Sequence, residues 1–288
     1  MIKSYKGFDK NMKCRDFQYE VGKEYEMDGE IKCCNRGFHA CKSPLEVWDY
    51  YDMLNSRFAE VEQSGKIDEE EKSTKVCSSH IKIKAELKLA DIINIGVEWL
   101  KDITSPSKVK TDGYLNDNGD KEKQIGSSGD SAQIGSSGYY AKIGSSGYSA
   151  KIGSSGDYAK IGSSGDSAQI GSSGYYAKIG SSGDSAQIGS SGYSAKIGSS
   201  GYSAKIGSSG DSAKIDSTGE DSVIMCAGNE SKAKAKIGSW VTLAEWKWSD
   251  EKNRNVPVCV KTEYVDGENI KADTWYQLKN GKFVEVNE

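Results

Sequence analysis

The first third of the chain holds five cysteines, Cys14, Cys33, Cys34, Cys41 and Cys77, and the only two histidines, His39 and His80, and of these His39, Cys41, Cys77 and His80 are the candidates to hold a metal ion or build a nucleophile. Thiolate with imidazole suits zinc, and Cys77-Ser78-Ser79-His80 has a usable ligand spacing, although the paired C-x2-C knuckles of a zinc module are missing. His39 and Cys41 are two apart and on a strand share one face, so the imidazole could serve as base for the thiol. Nothing nearby supplies an orienting third group, and simple burial is the common fate of a free cysteine. Glu60 and Glu62 are likewise two apart. They could act as paired carboxylates, or as the solvated face of a strand.

A second set of candidates is spread through the middle of the chain, where Lys and Tyr recur: Tyr139, Lys142, Tyr148, Lys151, Tyr175, Lys178, Tyr193, Lys196, Tyr202 and Lys205. Lysines interleaved with aromatic rings could follow a phosphate backbone and stack bases. The alternatives are that lysine rows keep a regular β surface soluble or that the array is a rigid face for a protein partner. Interspersed Asp130, Asp157, Asp166, Asp184 and Asp211 nearly cancel the charge, which weighs against nucleic acid. No cofactor is expected.

These positions are set by a repeat. From residue 124 to 215 the phrase Gln-Ile-Gly-Ser-Ser-Gly-Asp-Ser-Ala recurs every nine residues, with Ile125, Ile134, Ile143, Ile152, Ile161, Ile170, Ile179, Ile188, Ile197, Ile206 and Ile215 in phase and Ile224 continuing it. A fixed period is the signature of a repeat architecture. In each copy Ala and Ile are two apart, as on one face of a strand, and Gly-Ser-Ser-Gly supplies glycines tolerant of positive φ and side chains able to hydrogen-bond locally, which is turn chemistry. One copy cannot bury its Ile, but copies stacked at strand spacing bury a continuous ladder, each Ile contributing about 1.5–3 kcal/mol. A flexible Gly/Ser linker would have no reason to keep the Ala-x-Ile spacing. A calcium roll would need Asp in every copy, whereas the residue after the turn varies between Asp and Tyr. Tyr140, Tyr158 and Tyr176 occupy a neighbouring row that is otherwise Ser.

The expected fold is therefore mainly β: a parallel β-solenoid of about five coils, about 18 residues per coil, with an N-terminal α/β domain and a C-terminal antiparallel β cap. The divisions are 1–103 for the α/β domain, 104–123 for a polar linker, 124–237 for the solenoid and 238–288 for the cap. In the first domain, strands are expected at Ile2–Phe8, Lys23–Met27, Gly37–Cys41, Arg57–Glu62 and Val76–Leu89. Ser43-Pro44 should open a helix as N-cap and first residue, and a short helix should span Asp91–Leu100. Asp68 to Lys72 reads as an acidic loop. In the cap, Ala233–Gly238 reads as one more coil strand after an insertion, and Trp240–Trp248 and Val256–Val265 as longer strands. Asn280-Gly281 marks a type I′ hairpin, and Trp246, Trp248 and Trp275 are expected in the cap core.

The 288-residue chain carries a formal charge of −4, which argues against a dedicated nucleic-acid or membrane-surface protein. Its N-terminus lacks the apolar run of a signal peptide and no stretch is long and apolar enough to span a bilayer. Seven cysteines, an odd number, fit a reducing compartment. The expected location is the cytoplasm.

Glu60-Val61-Glu62, after a strand and helix at Gly37–Tyr51, faintly resembles the Glu-x-Glu strand of ADP-ribosyltransferases. That resemblance implies NAD chemistry with Glu60, Glu62 and His39 at the site, but the basic residue of the first strand is matched at best by Lys6. A wider resemblance rests on Tyr5–Asp9, Phe17–Lys23, Gly37-Phe38-His39-Ala40-Cys41, Arg57–Glu62 and the Gly238-Ser239-Trp240 and Leu243-Ala244-Glu245-Trp246 segments. Together they resemble an uncharacterised domain family associated with bacteriophages and prophages, which implies an origin and no activity. The expected function is that of a non-enzymatic interaction protein binding a host protein or protein–nucleic-acid complex, with a bacterial defence complex as the specific case. The alternatives are the NAD-dependent enzyme and a virion-associated or surface adhesin. Open coil ends also leave room for a homodimer through solenoid or cap.

Overall fold

A computed structural model of the chain describes residues 1–70, 73–104, 114–117 and 124–287. It divides into two compact units, Met1–Trp99 and Leu100–Glu288.

The first unit is built on five antiparallel strands, with helix at its margin. Strands β1 (Ile2–Phe8), β2 (Lys13–Cys14), β3 (Phe17–Gln18), β4 (Glu24–Glu26), β5 (Phe38–Cys41), β6 (Arg57–Glu69) and β7 (Lys75–Leu87) precede α1 (Leu89–Thr104). β6 and β7 form a long hairpin; β1 pairs with β6, β5 with both β1 and β7, and β4 with β7, so β1, β6, β7 and β5 close a ring. Phe8, Phe38, Ala40, Ala59, Val61, Ile81 and Ile83 fill its interior. Gln63 is fully buried beside a register shift in β6. Its Nε2 donates to the Phe38 carbonyl (2.7 Å) and Ser78 Oγ (3.1 Å), and its Oε1 accepts from Ser4 Oγ (2.6 Å). One amide thus satisfies groups on β1, β5 and β7, as a buried polar side chain must.

Several boundaries differ from expectation. β6 extends to Glu69 through a stretch that reads as loop, because pairing with β7 continues through Ile67–Glu69. The helix after Cys41 is a single 3-10 segment, Leu45–Asp49, capped at Pro44 with no side-chain hydrogen bond, so Ser43 does not act as N-cap. α1 spans 16 residues, Leu89–Thr104, and so extends beyond the expected short helix at Asp91–Leu100 on both sides.

The second unit is the parallel β-solenoid with about 18 residues per coil. It has seven coils, two more than the expected five. One sheet stacks strands from Tyr114–Asp117 and Gln133–Ser136 through Val223–Cys226 to Trp240–Ser249; the other stacks Gln124–Ser127 and Lys142–Ser145 through Lys232–Lys234. Pairing is in register at a spacing of 18, Ile143 against Ile161 and Ile161 against Ile179. The extra coils come from both ends. Tyr114–Asp117, inside the expected linker, pairs parallel with Gln133–Ser136; the rest of that linker beyond 104 lies outside the described residues. Lys232–Lys234 pairs with Lys214–Asp216 with no insertion, Ala233 taking the Ile position.

Inside the coils the Ala and Ile rows are buried, and so is the Ser closing each strand. The turns depart from the glycine reading. The left-handed residue of each copy is the one before Ala: Ser131 (φ 60°), Tyr140 (64°), Ser149 (56°) and onward. The turn glycine serves close approach instead: a Cβ on Gly165 would fall onto the Gly147 carbonyl one coil below, and the same holds from Gly147 to Gly228.

The cap continues the stack. Trp240–Leu243 adds a parallel rung on Val223–Cys226, then pairs antiparallel with Arg254–Tyr264. Tyr276–Lys279 and Lys282–Glu285 form the hairpin, with Asn280 and Gly281 both at positive φ (52° and 66°). Val265, Ile270, Tyr276 and Leu278 extend the isoleucine core. Trp275 is buried and Trp246 Nε1 donates to the Ala227 carbonyl (2.9 Å), but Trp248 is 59% exposed and is not a core residue.

Candidate functional site

Two places in the molecule combine chemistry-bearing residues. The first is a cavity of about 770 Å³ in the first unit, walled by β1, β5, the 3-10 segment and the 14–19 loop. Gly7 allows it to form: a Cβ there would collide with the Tyr51 ring, which lies across β1. The Tyr51 hydroxyl then meets Cys14 Sγ (2.8 Å). Burial and this thiol push the Tyr51 phenol well above its ordinary value. Lys6 forms part of the cavity wall. It is 3% exposed, and its Nζ donates to the His39 carbonyl (2.8 Å) and reaches Cys14 Sγ (3.6 Å). Desolvation lowers its pKa.

His39 also lines the cavity. Its Nε2 accepts from the Cys34 amide (3.0 Å), and burial, with Lys6 nearby, lowers its pKa, favouring the neutral ring. Cys41 is buried and its thiol is pushed up to about 12, first by desolvation and then by Glu46 and Asp49, which opposes thiolate formation. Lys75 stands at the same cavity with its Nζ 3.3 Å from Cys34 Sγ and 4.4 Å from the Tyr50 ring centroid. Rings of Phe17, Tyr19 and Phe38 pack edge to face along another wall.

The other candidates from the sequence lie elsewhere. Glu60 pairs with Lys3 (2.9 Å) and Glu62 with Lys84 (3.1 Å); neither lines the cavity. His39 and Cys77 are cross-strand neighbours on β5 and β7. Cys77 is buried, donating to the Arg36 carbonyl (3.1 Å), while His80 is engaged by Ser64 Oγ (2.8 Å) and Glu24 (3.5 Å). Among the described residues no group of three or more His, Cys, Asp or Glu is placed to hold a metal ion.

The second place is the surface of the solenoid, where the coil separates the Lys/Tyr candidates. On the first face Lys151 and Lys205, with Gln133, Gln169 and Gln187, flank a shallow trough of about 910 Å³ floored by glycines. On the second face Lys142 is buried, and Lys178 and Lys196 are half-buried. Tyr148 and Tyr202 stand singly on one edge between Asp130, Asp166 and Asp184. Tyr139, Tyr175 and Tyr193 share the other edge with Tyr140, Tyr158 and Tyr176. No single surface gathers all ten.

The second edge is an aromatic stack. Tyr140 lies on Tyr158 and Tyr158 on Tyr176, each at 5.1 Å between centroids, with Tyr139 edge-on to Tyr140 (4.6 Å) and Tyr193 edge-on to Tyr176 (5.8 Å). Tyr140, Tyr158 and Tyr176 are absent from the candidate set; the available signal was an 18-residue, rather than nine-residue, recurrence of Tyr before Ala. The Asp residues have a different role. Oδ1 of Asp157 accepts the Tyr175 amide (2.8 Å), and Asp166, Asp184 and Asp211 repeat the bond to the next coil at the same length. In the first unit Lys75 and Tyr50 were missed as well, and Lys6 entered only as the nearest match to the basic residue of an ADP-ribosyltransferase-like first strand; β1 carries two lysines, Lys3 and Lys6, and nothing in the local pattern marks which of them is buried.

Residues 2–95 match the sequence model of a family described as a domain of unknown function, DUF7666, so the first unit is similar to an uncharacterised domain. No curated protein and no solved structure matches the chain.

Proposed function

We propose that the protein is a non-enzymatic interaction protein that grips a host protein along the tyrosine edge of its solenoid. The observation that carries this reading is a cluster of six tyrosines between 37% and 57% exposed, in which Tyr140, Tyr158 and Tyr176 stack in register and Tyr139, Tyr175 and Tyr193 flank them from the neighbouring row. Tyr combines a large rigid contact area with a hydroxyl and loses little conformational entropy on binding, which is why it dominates protein interfaces. Here the backbone ladder holds the rings before any partner arrives. Asp157, Asp211 and Asn229 occupy the same turn row as Tyr139, Tyr175 and Tyr193, which favours a polypeptide over a polyanion. The phage-like resemblance supports a phage or prophage origin, a cytoplasmic setting and a bacterial defence or nucleic-acid-processing complex as target. Among the described residues no helix is long and apolar enough to cross a membrane.

The test is affinity capture from bacterial lysate with the full chain, with a triple variant (Tyr140→Ser, Tyr158→Ser, Tyr176→Ser) and with a control (Lys151→Gln, Lys205→Gln). Each substitution installs the residue already present at the equivalent position of another coil, as at Ser194 and Gln169, so the fold is kept. A nuclease-insensitive protein captured by the wild type and control but lost with the triple variant is expected. Equal capture by the triple variant, or no capture at all, retires the reading.

A further inference from the structure

We propose that the cavity of the first unit binds a small molecule in which an anionic group is carried on a flat ring, Lys6 taking the anion and the aromatic walls taking the ring. This site is separate from the tyrosine edge and its test has its own readout.

The argument starts from Lys6. An ammonium that is 3% exposed sits on a central strand, and no carboxylate lies within ion-pair distance of it among the described residues. Its surroundings are a carbonyl, a thiol and the rings of Phe8 (5.7 Å) and Tyr19 (5.3 Å). A buried lysine without a counter-ion is an expensive arrangement, whether its amine is held neutral by desolvation or kept charged. An apolar residue would fill the space at lower cost, so the amine asks for an anionic partner supplied from outside, whose arrival restores its charge.

The cavity around it points to the same ligand chemistry. Its volume of about 770 Å³ is that of a small-molecule site. Arg15 and Lys75 also line it, Lys75 already paired with Glu70 (3.2 Å), and among the described residues Asp16 is the one acidic residue of the lining, so cationic groups outnumber acidic ones at the wall. Desolvation holds His39 toward its neutral form, leaving the ring as a hydrogen-bonding surface rather than a further charge. Phe17 and Tyr50, at 44% and 48% exposure, are aromatic rings left partly uncovered at the cavity. Cations beside open ring faces suit a nucleotide or an aromatic acid alike, the shared feature being an anion attached to a planar ring.

The experiment is calorimetric titration of the full-length protein with adenosine 5′-monophosphate, phenyl phosphate and benzoate, and with adenosine and inorganic phosphate as half-ligands. At least one ring-plus-anion probe is expected to saturate, both half-ligands binding at least about tenfold more weakly; the active probe separates nucleotide from simple aromatic acid. Lys6→Met should weaken binding roughly 10- to 100-fold, the range of one charge-assisted hydrogen bond, while raising or preserving the thermal midpoint. Should that variant fail to fold, Tyr50→Ala at the exposed rim and Lys75→Gln at a half-buried position decide, each expected to weaken binding several-fold. The proposal is overturned if no probe saturates by about 1 mM, if phosphate alone binds as tightly as the best ring-bearing probe, or if the folded variants bind as the wild type does.

Discussion

The two interiors of this molecule reach close packing by opposite means. In the solenoid Ile143, Ile161 and Ile179 are interchangeable: each is fully buried between an Ile one coil below and an Ile one coil above. In the first unit no residue has a counterpart. Gln63 alone ties β1, β5 and β7 together, and Gly7 alone makes room for Tyr51. Repetition distributes stability evenly along one dimension, whereas a closed ring of unlike strands concentrates it at a few positions. The same contrast extends to function, since the repeat offers a row of equivalent contacts and the ring encloses a single asymmetric cavity.

The sharpest test of this contrast is the effect of identical truncations. Ile161→Ala is expected to destabilise the solenoid by ~2–5 kcal/mol in urea unfolding, with Ile143→Ala and Ile179→Ala agreeing to within about 0.5 kcal/mol. A large spread among the three would show that the rungs are not equivalent. A second test uses one residue type on two parts of a coil. Gly165→Ala drives a methyl into the Gly147 carbonyl and should cost about 1–3 kcal/mol. Gly171→Ala, with nothing within 4 Å of the new atom, should be neutral or stabilise by ~0.4–1 kcal/mol through the unfolded chain. In the first unit Gln63→Leu should cost roughly 1–3 kcal/mol because it strands buried partners on neighbouring strands. Adding Ser4→Ala to it should cost less than the sum of the two single changes.

The smallest effect concerns alkali. The Cys41 thiol ionises at about 12 in the folded unit and near 9 ordinarily, so its contribution is complete below pH 9 and is lost as pH rises from 9 toward 12. Unfolding free energies from urea titrations should fall more steeply above pH 9 for the wild type than for Cys41→Val, by at most about 1.4 kcal/mol per pH unit. No cysteine lies between Gln124 and Ser217, so this loss has no counterpart in the central coils.

The solenoid was legible because its signal is summed over many copies: Ala-x-Ile spacing gave strand, face and register together. The number of coils was underestimated because the sequence phrase is lost at both ends while the backbone register continues: Tyr114–Asp117 shows itself only by pairing with Gln133–Ser136, and the coil strand read at Ala233–Gly238 lies at Lys232–Lys234, in register with Lys214–Asp216 and with no insertion before it. The turn glycines were assigned to positive φ, whereas contact between coils dictates them, a three-dimensional constraint that no local pattern carries. The nine-residue period also concealed that alternate copies face opposite edges, so the tyrosines were pooled instead of sorted. In the first unit the strands were largely visible by alternation, but the cavity was not. Lys6, Tyr51 and Lys75 are distant in sequence and are brought to one cavity by a ring closure that follows from packing rather than from any motif.

That two phrases make one coil has a consequence for how such a protein can change length. Deleting a single phrase would move every later segment half a circuit around the axis, exchanging the tyrosine edge with the aspartate edge and bringing Trp240–Ser249 to the wrong sheet. Deleting two leaves every downstream residue on its own side and shortens the stack by one strand spacing, about 4.8 Å. The arm is therefore a ruler with a fixed graduation, and viable lineages should differ from one another by even numbers of phrases.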